Sequence, residues 1–300
     1  MVTGAAGFIG SHLMATLLER GHEVVGIDCF TDYYDPSLKE ENARGLDVRR
    51  LDLAEDELEF SSLDGIFHLA GQPGVRSFGR VFPDYLRRNV LATQRVFEAA
   101  AAAGVRVVFA SSSSVYGEAE RYPTPEATQP RPLSPYGITK LSCEHLAHAY
   151  SRGFGLDVVM LRYFTVYGPR QRPDMAIARI LRALHEGSPF ELYGDGGQSR
   201  GFTFVADAVA ATISAMEGGH GVYNVGGGAE ATMLEVIAAA ERASGRTLDV
   251  RRVSAAMGDV RRTAADTSRI RGELGWEARV TLEDGLQQHW DWISDSYEPA

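Results

Sequence analysis

A glycine triplet near the N-terminus is the sequence feature that most constrains the fold. Gly4, Gly7 and Gly10 form a G-x-x-G-x-x-G motif between a short apolar run and an amphipathic helical segment. Such a turn needs a positive φ, close backbone approach and a free helix N-terminus, which together suit a pyrophosphate group. Only residues 1–3 precede the motif. A first strand usually has more, so we expect that the start is trimmed or that the true start lies upstream.

An acidic residue follows the triplet at an informative distance. Asp28 ends the next apolar run, about 20 residues after Gly7, where dinucleotide-binding proteins carry the carboxylate that binds the adenosine ribose. Cys29 and Phe30 come next, so no arginine is at hand for a 2′-phosphate. The pattern therefore predicts NAD rather than NADP. The alternative is a glycine-rich turn beside an incidental aspartate.

The first half of the chain alternates apolar runs with helical patterns, as in a parallel sheet covered by helices. After Gly168 this alternation becomes irregular. We predict an α/β fold, a Rossmann-type doubly wound parallel sheet with a smaller C-terminal α/β substrate domain. The predicted strands are 22–28, 47–53, 65–70, 105–112 and 156–163. The predicted helices are 11–20, 84–103, 136–152, 176–185, 206–216, 234–244 and 282–294. The predicted domains are 1–166, with 202–226 returning to it, and 167–201 with 227–300.

Composition excludes several kinds of partner. The 300 residues carry a formal net charge of -10, which disfavours nucleic acid and anionic membranes. No apolar run approaches the roughly 20 residues of a membrane span. Cys29 and Cys143 are isolated thiols, so we expect no metal site and a reducing, cytoplasmic location.

Two further motifs predict where chemistry occurs. Tyr136 and Lys140 form Y-x-x-x-K, and on a helix such residues share a face. The lysine charge favours a phenolate, which can act as a base near neutral pH. Ser112, Ser113 and Ser114 follow a buried strand, at the end where α/β sheets bind ligands. A surface Tyr–Lys pair and a serine-rich turn are the structural alternatives.

Together these residues resemble the extended short-chain dehydrogenase/reductase family, in its NAD-dependent epimerase/dehydratase branch, over residues 2–223 and more loosely beyond. The resemblance implies that Ser112, Tyr136 and Lys140 are catalytic, with Tyr136 as the base. It implies cofactor contacts from Gly4, Gly7, Phe8, Ile9, Gly10, Asp28, Asp52, Leu53, Leu69, Ala70, Gly71, Asn89, Tyr136, Lys140 and Phe164.

The segment 162–176, RYFTVYGPRQRPDMA, resembles the uronate enzymes of this family. Thr165 stands where UDP-galactose 4-epimerases and UDP-glucuronate decarboxylases more often have asparagine. Ser113 and Ser114 replace the Asp-Glu pair of sugar dehydratases. Arg76 lies in a G-V-R segment that the uronate enzymes share. The hydroxyls of Ser112, Ser113, Ser114 and Thr165 could bind a substrate carboxylate by charge-assisted hydrogen bonds.

The segment 193–202 resembles the family's G-x-G-x-Q-x-R-D-F, whose arginine binds the UDP pyrophosphate; here it is Arg200, and Gly201 replaces the usual aspartate. The arginine that often precedes Gly258 is absent, and Arg252 or Arg261 could take its place. A solvated surface charge is the alternative for Arg179. The substrate contacts that the resemblance implies are Arg76, Ser113, Ser114, Thr165, Arg172, Arg179, Arg200 and Asp259.

The resemblance implies NAD-dependent 4-epimerisation of a UDP-sugar, UDP-glucuronate to UDP-galacturonate, through a 4-keto intermediate. UDP-glucose 4-epimerase, UDP-glucuronate decarboxylase and a non-catalytic NAD-binding sensor are the alternatives. It also implies a homodimer through helices 84–103 and 136–152. Their alanines, such as Ala99, Ala147 and Ala149, could equally pack against their own sheet.

Overall fold

A computed structural model describes residues 1–60, 62–74, 79–227, 230–254 and 260–297. Its strands are β1 (Val2–Thr3), β2 (Gly26–Asp28), β3 (Val48–Arg50), β4 (Gly65–His68), β5 (Arg106–Ser112), β6 (Val158–Tyr163), β7 (Val166–Tyr167), β8 (Phe190–Tyr193), β9 (Ser199–Gly201), β10 (Thr203–Phe204), β11 (Gly221–Val225), β12 (Glu230–Thr232), β13 (Val250–Val253) and β14 (Arg262–Thr263). Its α-helices are α1 (Phe8–Glu19), α2 (Pro36–Asn42), α3 (Phe82–Tyr85), α4 (Ala92–Ala103), α5 (Pro135–Phe154), α6 (Ala176–Glu186), α7 (Val205–Glu217), α8 (Met233–Ser244), α9 (Ser268–Leu274) and α10 (Leu282–Ser296).

A seven-stranded sheet organises the molecule, in the order β11-β6-β5-β4-β1-β2-β3. Every neighbouring pair in it is parallel. The strand order reverses at β1, which lies between β4 and β2, so the sheet is doubly wound. The predicted fold class is therefore confirmed.

The central strands send alternate side chains to two helical layers, because side chains of a strand alternate between the faces of its sheet. On β5, Val107 and Phe109 join a buried cluster with Phe97 of α4 and Cys143 of α5. Val108 faces the opposite way, into a cluster that includes side chains of α1 and α7. Both faces are therefore covered, and only the strand ends are open to a ligand.

Some predicted boundaries differ from the observed ones, both for strands and for helices. The predicted strand 22–28 is strand only over β2, because its neighbour β1 has just two residues to pair with it. The predicted helix 84–103 is one helical stretch with a π-helical turn, Leu86–Leu91, between α3 and α4. Helices α2 and α9 were not predicted, because seven residues are too few to show a helical period.

The C-terminal part adds small sheets and a group of packed helices. The strands pair as β10-β7, β12-β9-β14 and β13-β8. Helices α6, α8 and α10 pack on one another around apolar side chains. The chain returns to the main sheet once more at β11, which pairs with β6. The domain boundaries themselves stay a prediction. In the described ranges, no helix is both long and apolar enough to cross a bilayer.

Candidate active site

A cleft of about 700 Å³ opens at the carboxyl ends of the sheet strands, facing elements of the C-terminal part. Most of the predicted site residues line it. Those residues are Gly4, Gly7, Phe8, Ile9, Gly10, Asp28, Asp52, Leu53, Leu69, Ala70, Gly71, Ser112, Ser113, Ser114, Tyr136, Lys140, Phe164, Thr165, Arg172, Arg179 and Arg200. Their individual roles stay predictions.

The glycine turn forms one end of the cleft. Gly4 has φ +70°, and a Cβ there would lie 2.8 Å from the backbone nitrogen of Ala70. A Cβ on Gly10 would lie 2.1 Å from the Gly4 carbonyl oxygen. Both positions therefore exclude side chains. The turn delivers the N-terminus of α1 to the cleft, where its free N–H groups suit a phosphate.

Asp28 lies at the end of β2, beside this turn. Its carboxylate accepts hydrogen bonds from the backbone nitrogens of Ala6, at 3.1 Å, and Phe30, at 2.8 Å. Burial raises the pKa of the Asp28 carboxyl, and the Phe30 bond and the Lys39 charge oppose that rise. Lys39 also lines the cleft and donates to the Thr31 carbonyl oxygen at 2.7 Å.

Asn89 alone, of the predicted site residues that the structure describes, does not line the cleft. It is buried behind the wall, where its Oδ1 accepts from the Gln72 backbone nitrogen at 2.6 Å. Its Nδ2 donates to the Gln72 carbonyl oxygen and to the Thr139 hydroxyl, each at 3.1 Å. Its position therefore suits support of the loop at Gly71 better than direct contact with a cofactor.

The Tyr136–Lys140 pair lies on the first turns of α5. Ser134 caps that helix by accepting from the Gly137 backbone nitrogen at 3.1 Å, with Pro135 at the first helical position. Lys140 is buried, and its Nζ donates to the Ala110 carbonyl oxygen at 2.8 Å. The same Nζ lies 5.9 Å from the centre of the Tyr136 ring. The ammonium is therefore fixed beside the phenol.

The serine run forms the adjoining wall, at the end of β5. The Ser112 hydroxyl oxygen accepts from the Ser114 backbone nitrogen at 3.1 Å, which fixes a 3₁₀ turn at Ser113–Val115. Ser113 and Ser114 are half-buried on the cleft wall, as is Thr165 after β6. The Thr165 carbonyl oxygen accepts from the Thr203 backbone nitrogen at 2.9 Å. Four hydroxyls therefore stand on backbone that hydrogen bonds hold in place.

The three predicted substrate arginines that the structure describes make different contacts. Arg172 pairs with Asp174, with Nε 3.0 Å from Oδ1, and Asp174 raises the Arg172 pKa against the effect of burial. Arg200 donates to the carbonyl oxygens of Ser199, at 2.7 Å, and Val260, at 2.6 Å. Arg179 lies over the Phe190 ring, 5.3 Å from its centre. Arg179 is half-buried on the cleft wall, so it is not a solvated surface charge.

Arg76 and Asp259 lie outside the residues that the structure describes. Among the described residues, neither Arg252 nor Arg261 lines the cleft, and their substitution for the arginine missing before Gly258 stays a prediction. Among the described residues, no group of three or more His, Cys, Asp or Glu side chains is arranged to hold a metal ion.

Several cleft residues were not predicted from the sequence. The first group, Tyr33, Tyr34 and Lys39, lies in the loop after β2 and on α2. The second group, Gln72 and Arg88, lies in the loop after β4 and in the π-helical turn before α4. A third group closes the far end: Asp174, Phe190, Leu192, Tyr193, Phe202 and Met233. A tyrosine pair just after an acidic strand end was an available signal for the first group. Phe190 and Leu192 carry no motif, because apolar side chains on a short strand look alike in core and cleft, whereas Asp174 and Phe202 lie within segments that carried the family resemblance.

The part of the cleft formed by the glycine turn and Asp28 fits NAD. A close-approach glycine turn, a helix N-terminus and the Asp28 carboxylate lie together, as a dinucleotide requires. Lys140 and the Ser112–Ser114 run line the same cleft.

A model of the NAD dependent epimerase/dehydratase family matches residues 1–226, about three quarters of the chain. The chain belongs to this family. The predicted family is therefore confirmed, and the motifs that carried the prediction lie within the matched range.

Two solved proteins and one further relative give the family likeness its detail. A Bacillus subtilis (strain 168) protein named as an uncharacterized UDP-glucose epimerase, YtcB, is 41% identical, covering 99% of this chain and 98% of its own. UDP-glucuronic acid 4-epimerase from Bacillus cereus, solved with UDP-glucuronic acid and NAD, is 40% identical with a TM-score of 0.95, covering 99% of both chains. MoeE5, solved with UDP-glucuronic acid and NAD, is 45% identical with a TM-score of 0.89, also covering 99% of both. A second MoeE5 structure contains UDP-glucose and NAD.

Proposed function

We propose that this chain is an NAD-dependent UDP-sugar 4-epimerase that interconverts UDP-glucuronate and UDP-galacturonate through a 4-keto intermediate. One observation carries the proposal: the glycine turn, the set Ser112, Tyr136 and Lys140, and Arg200 all line a single cleft. Two solved proteins, 40% and 45% identical to this chain over 99% of its length, contain UDP-glucuronic acid and NAD.

The chemistry assigned to this chain is a proton transfer. Tyr136, as phenolate, removes the proton from the sugar 4-hydroxyl, with Ser112 hydrogen-bonded to the same oxygen. Lys140 stabilises the phenolate by its charge, since its Nζ is fixed on the Ala110 carbonyl. When bound, NAD supplies the hydride acceptor and, after the keto sugar turns over in the cleft, the hydride donor. Return of the proton from Tyr136 then completes the opposite epimer.

The preference for a uronate rests on the four hydroxyls of Ser112, Ser113, Ser114 and Thr165. Oxidation at C4 of a uronate gives a β-keto acid, which loses CO₂ readily when the carboxylate bond is perpendicular to the carbonyl plane. An epimerase must therefore hold the carboxylate away from that geometry. Short hydroxyls on hydrogen-bonded backbone can do so by charge-assisted bonds of fixed direction.

The anionic UDP end is assigned to the arginines. Arg200 binds the pyrophosphate, and Arg172 and Arg179 stand on the wall near it. Arg76 and Asp259 are added to the proposed substrate contacts by the family resemblance alone. An enzyme that keeps its substrate through rotation needs this anchor, because the keto sugar must turn while the diphosphate stays bound.

The deciding experiment is incubation of the purified protein with UDP-glucuronate, without added NAD, followed by NMR. We expect UDP-galacturonate with the carboxylate retained, which also means that NAD copurifies. A pentose or 4-ketopentose product would make the protein a decarboxylase. No change with UDP-glucuronate but conversion of UDP-glucose would contradict the uronate assignment, and the name of the B. subtilis relative makes this the second candidate.

Thr165→Val supplies a matched specificity test, because valine keeps the shape and loses only the hydroxyl. Loss of one charge-assisted hydrogen bond raises the KM for UDP-glucuronate by about tenfold. The KM for UDP-glucose stays within about twofold, since that sugar has no carboxylate to lose. Equal losses for both sugars would show that Thr165 does not contact a carboxylate.

A homodimer and a cytoplasmic location complete the proposal. Leu86, Leu91, Ile138 and Phe154 leave apolar surface on the helices predicted to form the dimer, with Phe154 70% exposed. Ala147 is fully buried against its own sheet, so it is not available to a partner. Sedimentation velocity checks the dimer. The cytoplasm is proposed because the two cysteines are free thiols.

A further inference from the structure

An ion pair lies buried directly behind the proposed catalytic residues. Glu144 of α5 and Arg162 of β6 have side chains only 3% and 6% exposed. The Arg162 guanidinium binds both carboxylate oxygens, with Nε at 2.9 Å from Oε1 and an Nη at 2.7 Å from Oε2. Neither residue lines the cleft. The pair is therefore not available to a substrate or a cofactor.

Glu144 shares a helix face with the proposed catalytic residues. Tyr136, Lys140 and Glu144 are spaced by four, so they follow one another along α5. Lys140 Nζ donates to the Ala110 carbonyl oxygen at 2.8 Å, and the Ser111 hydroxyl donates to Glu144 Oε1 at 2.5 Å. Two successive turns of α5 are thus bonded to two successive residues of β5, and Ser112 comes next.

Arg162 extends the connection across the sheet. It lies three residues before Thr165, on the strand that leads to the far cleft wall. Its second Nη donates to the Tyr116 hydroxyl at 2.8 Å, and that hydroxyl donates to Asn224 Oδ1 at 2.7 Å. Asn224 is fully buried on β11. The network therefore joins α5, β5, β6 and β11 behind the cleft.

Stability alone does not explain such a pair. Removing two charges from water costs about as much as their attraction returns, and apolar replacements of similar volume are often neutral or stabilising. What a bidentate pair adds is direction, because both partners must keep one relative geometry. A helix held only by apolar contacts can slide by a fraction of a turn, which moves side chains relative to a neighbouring strand.

We propose that Glu144, acting through Arg162 and Ser111, is a positioning residue that sets the register of Tyr136 and Lys140 against Ser112 and Thr165. This inference rests on the proposed function. Glu144 touches neither substrate nor cofactor. It fixes where the phenol oxygen lies relative to the serine hydroxyl, a distance on which proton transfer depends steeply.

The double variant Glu144→Leu/Arg162→Met removes both charges of the pair and keeps the volume. We expect its melting temperature to fall, because the buried Ser111 hydroxyl loses its acceptor, so its kcat is compared with that of a control variant that is destabilised elsewhere. We expect the KM to stay within about twofold and kcat per bound NAD to fall about ten- to a hundredfold. The single variant Glu144→Gln should lose both stability and kcat, since it leaves the Arg162 charge buried and poorly paired.

Asp207→Asn is the matched control. Asp207 is a buried carboxylate on α7, 7% exposed, that accepts from the backbone nitrogens of Arg279 and Val280. It lies outside the cleft lining. Its loss should lower the melting temperature and leave kcat per bound NAD within about twofold.

A double variant that keeps its full kcat would overturn the inference, because apolar packing would then set the register. So would a kcat loss of the same size in Asp207→Asn. A wild-type protein that converts neither UDP-glucuronate nor UDP-glucose would instead refute the proposed function. Crystal structures of wild type and double variant would then decide the inference, by the presence or absence of a shift of Tyr136 relative to Ser112.

Discussion

Buried histidines on the two sides of the cleft differ in their hydrogen bonding. On the sheet side, His68 is fully buried and both of its ring nitrogens have partners, the hydroxyls of Thr3 at 2.7 Å and Thr93 at 3.0 Å. On the C-terminal side, His185 and His289 are also buried, and no described residue forms a hydrogen bond with either nitrogen of either ring.

The two walls of the cleft are therefore stabilised in different ways. The sheet side uses directional bonds at the residues next to the proposed chemistry, where atoms must be placed to a fraction of an ångström. The C-terminal helices are held mainly by apolar side chains, with the His185 and His289 rings 6.0 Å from Trp290 and Trp292. That packing defines a shape, and it tolerates exchange of one apolar group for another.

Tyr136→Phe gives the largest expected effect and tests the sheet side directly. Turnover should fall by about 10³-fold or more, because the variant has no proton acceptor at this position. Bound NAD and the melting temperature should stay as in the wild type, since the ring still packs beside Tyr85, 6.4 Å away. Near wild-type turnover, measured by NMR with UDP-glucuronate, would remove Tyr136 from the mechanism.

The same contrast explains how far the sequence could be interpreted. The sheet side is built from motifs whose spacing reflects chemistry, so the glycine turn, Asp28, Ser112, Tyr136 and Lys140 could be assigned to one site. Glu144 and Arg162 have no such signal, because only the pairing of β5 with β6 and the packing of α5 bring them together.

The C-terminal side was predictable only in outline. Its helices have clear periods, and α6, α8 and α10 lie within a few residues of their predicted bounds. Its short strands pair across large separations in sequence, as β8 does with β13 and β9 with β14. No local pattern specifies those partners, so Phe190 and Leu192 on β8 could not be assigned to the cleft, whereas Arg200 on β9 could, because it lies in a motif.

His68→Leu and His289→Leu, compared at pH 7, test whether the two sides truly differ. His68→Leu removes one hydrogen bond from each of the buried hydroxyls of Thr3 and Thr93 and should lower the free energy of unfolding by about 2 kcal/mol. His289→Leu replaces a ring with no hydrogen bond to a described residue, so it should be neutral or slightly stabilising. Equal losses in chemical denaturation would erase the distinction.

Acid should reveal the histidines on both sides. Burial lowers the pKa of His68 and of His289 to about 3, and that of His12 to about 4. The unfolded chain takes up these protons below about pH 6.5, while the folded chain does not. The free energy of unfolding therefore falls as the pH drops below about 6.5, and continues to fall until the folded pKa values are reached.

At about pH 5 each of these histidines costs roughly 2 kcal/mol of stability relative to neutral pH. His289→Leu should recover about that amount of the loss, measured as the difference between unfolding free energies at the two values of pH. A pH dependence in His289→Leu identical to the wild type would mean that the pKa of this imidazole is the same in the folded and the unfolded chain.

Gly201→Asp should have the smallest effect, and it asks whether the C-terminal side depends on a charge at all. A Cβ at Gly201 would lie 3.5 Å from the Thr263 carbonyl oxygen and 3.7 Å from the Ala264 Cα, so an aspartate fits. Arg200 already donates to the carbonyl oxygens of Ser199 and Val260. We therefore expect the KM for UDP-glucuronate to change by about twofold or less, with kcat unchanged. A tenfold lower KM would show that the carbonyl oxygens are a poor substitute for the aspartate. The C-terminal side would then, like the sheet side, need a paired charge to position Arg200.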